Sequence, residues 1–126
     1  MQKNIVKTSA APAAVGPYAQ AVEANGVLYL SGMLPLDPAT GTMIGSDAPA
    51  QARQILKNIA ALLESQGLST ENIVKATVFL TDLSAFGAVN AVYGETFAAG
   101  PPARSCVEVS RLPKDALVEI ECVAVR

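Results

Sequence analysis

An arginine and a cysteine stand two residues apart in the stretch PPARSCVEV, residues 101–109, as Arg104 and Cys106. Two prolines followed by β-favouring residues read as the start of a strand, and side chains two apart on a strand share a face. A permanent cation beside a thiol then has two explanations: the face looks at solvent, or it lines a site for an anion. The planar fork of an arginine suits a carboxylate. It equally suits a structural ion pair, with Glu119 or Glu121 as partner. Glu119 sits among apolar residues in LVEIECVAV. Burial there would raise its pKa and fit it for proton transfer, whereas on a solvated strand face it would stay an ordinary carboxylate. Cys106 as a nucleophile would need a strongly activating neighbour, and the sequence places neither a histidine nor a clear helix N-terminus beside it. We read it as a small buried thiol whose backbone touches a ligand.

Other polar residues fall at places where a ligand can meet the chain. Tyr18 follows Gly16-Pro17 at a bend into a strand, and its ring either walls a pocket or packs in the core. Ser31-Gly32 closes a strand at a long loop. Gly32 lets a ligand come close to the backbone, or it only starts the turn. Asn90 lies beside an apolar helical stripe and either holds a loop or faces water. The chain has no histidine, which removes Ser-His-Asp and Cys-His catalysis and most zinc sites.

The elements that must carry these residues follow from turn signals and periodicity. Asn25-Gly26 suits a type I′ hairpin between strands at about 18–24 and 27–33, with a short strand near 3–7. A loop rich in Pro, Gly, Asp and Thr follows. Ser46 or Asp47 can cap the next helix, Pro49 suits its first turn and Gly67 its end. Ala52, Ile55, Ile59, Leu62 and Leu63 share one of its faces. Residues 72–82 read as a strand, with Val74, Ala76, Val78 and Leu80 on one face and Ile73, Lys75, Thr77 and Phe79 on the other. A second helix starts near Ser84 with Phe86, Val89, Tyr93 and Phe97 as its stripe, and Gly100-Pro101-Pro102 stops it. Strands at about 103–110 and 117–125 complete the order β-β-β-α-β-α-β-β. That order predicts an α+β fold, a mixed sheet covered on one face by two helices.

The totals constrain the partners. One domain spans residues 1–126, with 51% hydrophobic and 16% charged residues and a net charge of −2. So much apolar surface in a small domain predicts burial between subunits, and the mixed outer face of the sheet is where it is expected. No Lys/Arg cluster supports nucleic-acid binding. No stretch is long and apolar enough to span a membrane, and the opening MQKNIVKTS lacks a signal-peptide run. Two reduced, buried cysteines, Cys106 and Cys122, fit a cytoplasmic protein.

Four blocks, GPYAQA (16–21), SGMLPLDPATG (31–41), VNAVYGETF (89–97) and PARSCVEVSRLPKDALVEIE (102–121), resemble the Rid/YjgF family of reactive-intermediate deaminases, and its RidA branch most closely. The resemblance runs in order along nearly the whole chain. It implies a chorismate-mutase-like (YjgF-type) fold, a homotrimer with a central β-barrel, and sites in clefts between subunits. It further implies hydrolysis of 2-imino acids and their enamine tautomers, such as 2-iminopropanoate from 2-aminoacrylate and 2-iminobutanoate, to 2-keto acids and ammonia. That activity limits metabolite damage from pyridoxal-phosphate dehydratases, without a stable complex with them and without cofactor or metal.

On this resemblance Arg104 grips the substrate carboxylate, Cys106 lines the site with its main chain, and Glu119 lies near the attacking water. Tyr18, Ser31, Gly32 and Asn90 surround the same cleft. Met33 replaces a common glutamine, Pro101 a common aromatic residue, and the stretch between Phe97 and Pro102 is short; all three bear on the preferred substrate side chain. The alternatives are a non-catalytic module that senses 2-keto acids through the same groups, an RNA-cleaving protein, which the charge and the lack of histidine oppose, and a purely structural trimer.

Overall fold

The computed structural model describes residues 2–126. Six strands form one sheet in the order β1-β2-β3-β6-β4-β5: β1 (Asn4–Val6), β2 (Ala21–Ala24), β3 (Val27–Met33), β4 (Ile73–Leu80), β5 (Ala103–Glu108) and β6 (Val118–Val125). Among the described residues only β4 and β5 run parallel, because a helix connects them; the other neighbours are antiparallel, so the sheet is mixed as expected. The β2–β3 hairpin turns on Asn25 (φ 53) and Gly26 (φ 77), the two positive values that a type I′ turn requires.

Helix α1 (Ala48–Ser65) starts where the sequence says it should. Asp47 accepts a hydrogen bond from the Ala50 amide at 2.9 Å, and Gly67 (φ 75) follows its end. Its expected face is buried, joined by Leu56. Two polar side chains on the same helix, Gln51 and Asn58, are also buried, and both are satisfied. Asn58 donates to the carbonyls of Leu34 and Leu36, while Gln51 donates to Gly45 O and accepts from Leu117 N. The helix thereby pins both ends of the long loop.

Helix α2 (Phe86–Thr96) follows a 3₁₀ turn capped by Asp82. Val89, Val92, Tyr93 and Phe97 are buried, but Phe86, expected in the core stripe, is 40% exposed. Phe86 opens the first turn of the helix, and its ring lies beside the Arg104 guanidinium, not in the core.

Two bulges change the faces that strict alternation predicts. In β4, Ile73 pairs with Ala124 and Lys75 with Val123, so Val74 is an extra residue. Ile73 therefore turns into the core and Val74 out to 45% exposure, the reverse of the expected assignment. In β3, Leu30 pairs with Cys122 and Met33 with Ile120, which leaves Ser31 and Gly32 in an irregular step. Both Leu30 and Met33 are then buried. The β6 residues Val118, Ile120, Cys122 and Ala124 are buried, and Glu119, Glu121, Val123 and Val125 occupy the opposite face. That outer face also exposes Tyr29 and Val107.

Candidate functional site

The expected site residues fall into two groups. In the first, strand register decides the direction of Arg104. It pairs with Ala76 of β4, and Cys106 pairs with Val78. Ala76 and Val78 are buried under the helices, so Arg104 and Cys106 share the helix-covered face at the sheet edge. There Arg104 Nη1 donates to Asn90 Oδ1 at 2.8 Å. The guanidinium carbon lies 4.6 Å from the ring centre of Tyr93 and 5.6 Å from that of Phe86. Residues 86, 90 and 93 follow helical spacing, so one face of α2 supplies all three contacts.

No carboxylate of the described residues pairs with Arg104. Within the chain the expected alternative, an ion pair with Glu119 or Glu121, does not form, because both glutamates belong to the opposite face of the sheet. Cys106 is half-exposed and not the buried thiol expected, since β5 is an edge strand. Partial burial pushes its pKa up, against a weaker downward pull from Arg104. At neutral pH it is a thiol, a poor nucleophile. Cys122 is buried, free and pushed up to about 12 by desolvation, with Glu121 adding to the rise.

The second group gathers around the bulge of β3. Gly32 lies against Glu119 so closely that a methyl group at position 32 would overlap Oε2 and sit 2.8 Å from Cδ. Burial raises the Glu119 pKa, and the neighbouring negative charge of Glu121 raises it further. Ser31 Oγ donates to Ala19 O at 2.6 Å, and the Ser31 amide donates to Gln20 O. These bonds tie the bulge to the segment that carries Tyr18. Tyr18 precedes β2 in a bend, is exposed, and accepts from the Val15 amide at 3.3 Å.

Sequence reasoning missed three contributors. Gln20 is buried, and its amide donates to the carbonyls of Thr8, Ala11 and Pro12 while accepting from Thr8 N. It clasps residues 8–12 beside Tyr18. Tyr93 and Phe86 flank the guanidinium; helical spacing from Asn90 was the available signal, but the same spacing fitted a core stripe. A small cavity of about 40 Å³ touches Tyr18, Ser31, Gly32 and Met33. A concavity of about 520 Å³ lies between Lys7, Ala14 and Tyr18, lined mainly by apolar side chains. Neither contains Arg104 or Glu119. Met33 is 6% exposed within the core, so its side chain is turned away from the face that carries Glu119.

The two groups do not meet within the chain. Arg104 and Glu119 are two strands and three register positions apart, roughly 14 Å between backbones, and on opposite faces. Each group has partial chemistry: a fixed cation with free donors, and a carboxylate with a raised pKa beside an open peptide. Among the described residues no three His, Cys, Asp or Glu side chains gather as metal ligands, and no helix is long and apolar enough to cross a membrane.

Known proteins share both sequence and architecture. The chain matches the family described as endoribonuclease L-PSP over residues 8–126. It is 55% identical over 127 residues to a RutC family protein of Synechocystis, with 99% of this chain and 98% of that protein covered. It is 51% identical over 129 residues to a Salmonella typhimurium protein named 2-iminobutanoate/2-iminopropanoate deaminase, with 100% and 99% covered. A crystal structure of a Rid family protein from Yersinia pestis superposes with a TM-score of 0.95 at 47% identity, over 99% of this chain and 100% of that one. With the same sheet, the same two helices and a match along nearly its whole length, the chain belongs to the endoribonuclease L-PSP family, the family of the Rid/YjgF proteins.

Proposed function

We propose that this chain is a single-domain hydrolase that deaminates 2-imino acids to 2-keto acids and ammonia, at sites completed between subunits of a homotrimer. One observation carries the reading: Arg104 is a fixed, half-buried cation with no carboxylate partner among the described residues. Asn90 occupies one of the five N–H donors of the fork, and the others suit the carboxylate of an incoming acid. Relatives about half identical to the chain carry the name 2-iminobutanoate/2-iminopropanoate deaminase, which supports the same substrate class here.

The chemistry asks for no strong nucleophile. An imine carbon is already electrophilic, and more so when protonated. Arg104 holds the carboxylate; water adds to the C=N carbon while Glu119 takes one of its protons and passes it to nitrogen, giving a carbinolamine; Glu119 then takes the hydroxyl proton and delivers it to the departing nitrogen as the C=O forms. The C–N bond breaks, ammonia leaves and a 2-keto acid remains. Tyr18, Ser31, Gly32 and the Cys106 backbone complete the walls. Because Arg104 and Glu119 face opposite sides of one sheet, each site takes Arg104 from one chain and Glu119 from another. The exposed outer face, with Tyr29, Val107 and Val125, suits the centre of such a trimer as a closed barrel. Pyridoxal-phosphate dehydratases acting on serine or threonine in the cytoplasm are the source of substrate.

The test is hydrolysis of freshly generated 2-aminoacrylate, with semicarbazide as competitor and a protein-free control. Wild type is expected to accelerate pyruvate formation and Arg104→Ala to abolish it. Losing two charge-assisted bonds of about 1.5–3 kcal/mol each costs ~100-fold or more in kcat/KM; Arg104→Lys keeps the charge but offers a point donor in place of the planar fork and is expected to be severely impaired. Pyruvate binding without acceleration would make the chain a sensing module. Light scattering is expected to give about 39 kDa, three times the 13.0 kDa chain.

A further inference from the structure

We infer that Tyr93 is a positioning residue that sets the plane in which Arg104 presents its fork; the inference rests on the carboxylate-clamp reading above. A guanidinium held only through Nη1 can still rotate about that hydrogen bond. Bidentate capture of a carboxylate requires the two planes to be aligned, so a second constraint is needed. The Tyr93 ring supplies it, with its centre 4.6 Å from the guanidinium carbon. Aromatic faces attract cations at this range. Asn90, one helical turn away, fixes the edge while the ring fixes the plane.

Tyr93 is itself immobilised. It is 6% exposed and packs against Phe97 with ring centres 4.6 Å apart. Phe86, which also approaches the cation, is 40% exposed and 5.6 Å away, so it is the weaker constraint. Among the described residues the buried Tyr93 hydroxyl has no hydrogen-bond partner. It adds no bond to the fold and none to Arg104, so the ring carries the role and phenylalanine can replace it.

Tyr93→Phe and Tyr93→Leu separate the ring from the hydroxyl and from mere volume. The readouts are melting temperature, kcat and KM for 2-iminopropanoate, and calorimetric affinity for pyruvate and for neutral pyruvamide. Tyr93→Phe is expected to stay within about twofold of wild type in every binding and kinetic constant. Tyr93→Leu should lose ~5–25-fold in pyruvate affinity and in kcat/KM, mainly through KM, the range a cation–π contact spans. Pyruvamide affinity should hold within about twofold, since no carboxylate is read. In wild type, the Arg104 Nε–H and Cδ protons should show upfield ring-current shifts by NMR, a signature independent of how the variants fold. Unshifted Arg104 protons would overturn the inference. So would a folded Tyr93→Leu that binds pyruvate normally, or equal losses for pyruvate and pyruvamide. If Arg104→Ala stays active, the clamp reading fails; if only Tyr93→Leu behaves as wild type, the clamp stands and the role of Tyr93 falls.

Discussion

Arg104 and Glu119 point to opposite faces of one β-sheet. The first pairs in register with Ala76 beneath the helices, and the second with Phe79 on the outer face. No rotamer change brings both to one small acid, because the sheet itself lies between them.

Two inactive variants should therefore rescue each other. Arg104→Ala and Glu119→Gln, unfolded together at equal concentration and refolded, are expected to recover about one quarter of wild-type activity. A composite site needs the intact arginine from one chain and the intact glutamate from its neighbour, and random assembly supplies that pairing in about one case in four. Activity that stays at the level of the separate variants would mean that Arg104 and Glu119 do not serve one composite site.

Gly32→Ala tests the contact between Gly32 and Glu119. The added methyl collides with the end of a flexible side chain, so the fold should survive while the carboxylate swings away. A displacement of about 1 Å at a reacting group can cost ~100-fold, and kcat for 2-iminopropanoate is expected to fall on that scale. Melting temperature should be nearly unchanged. Normal kcat in a folded Gly32→Ala would show that the position of Glu119 against the peptide is immaterial.

Glu119 also predicts a pH dependence of stability. Burial and Glu121 raise its pKa above the ordinary 4.5, so in the window just above 4.5 the folded chain binds more protons than the unfolded one. The contribution is favourable at low pH and is lost as pH rises through the folded-state pKa. Glu119→Gln removes this loss. Its melting temperature should exceed that of wild type at neutral pH, and the gap should close towards pH 4. A gap that widens on acidification would mean the carboxylate is stabilised in the fold, not strained.

Cys106→Ala and Cys106→Ser should remain folded and retain most imine hydrolysis. Burial keeps the thiol protonated despite Arg104. Alkylation of wild type by iodoacetamide should be slow at pH 7, should accelerate only in alkaline solution, and should spare the buried Cys122. A covalent substrate adduct on Cys106, with activity lost in both variants, would make the thiol the nucleophile.

Local chemistry was legible in the amino-acid sequence because it depends on near neighbours. The Asn25-Gly26 turn, the Asp47 cap, the apolar face of α1 and the element order all follow from spacing and side-chain type, and the structure has them. The identity of Arg104 and Glu119 as the groups worth watching came from the same source. Their partners did not. Whether Arg104 meets a glutamate or Asn90 depends on strand register and on which helix covers the edge, and both are fixed by contacts between residues far apart in the chain. Strict alternation put Val74 inside and Ile73 outside; a single inserted residue reversed them, and nothing local marks that bulge. Tyr93 read as core because a period of 3.6 reports only the side of the helix. That a cation lies over its ring is decided by the parallel placement of β5 beside β4, which only the packed sheet sets.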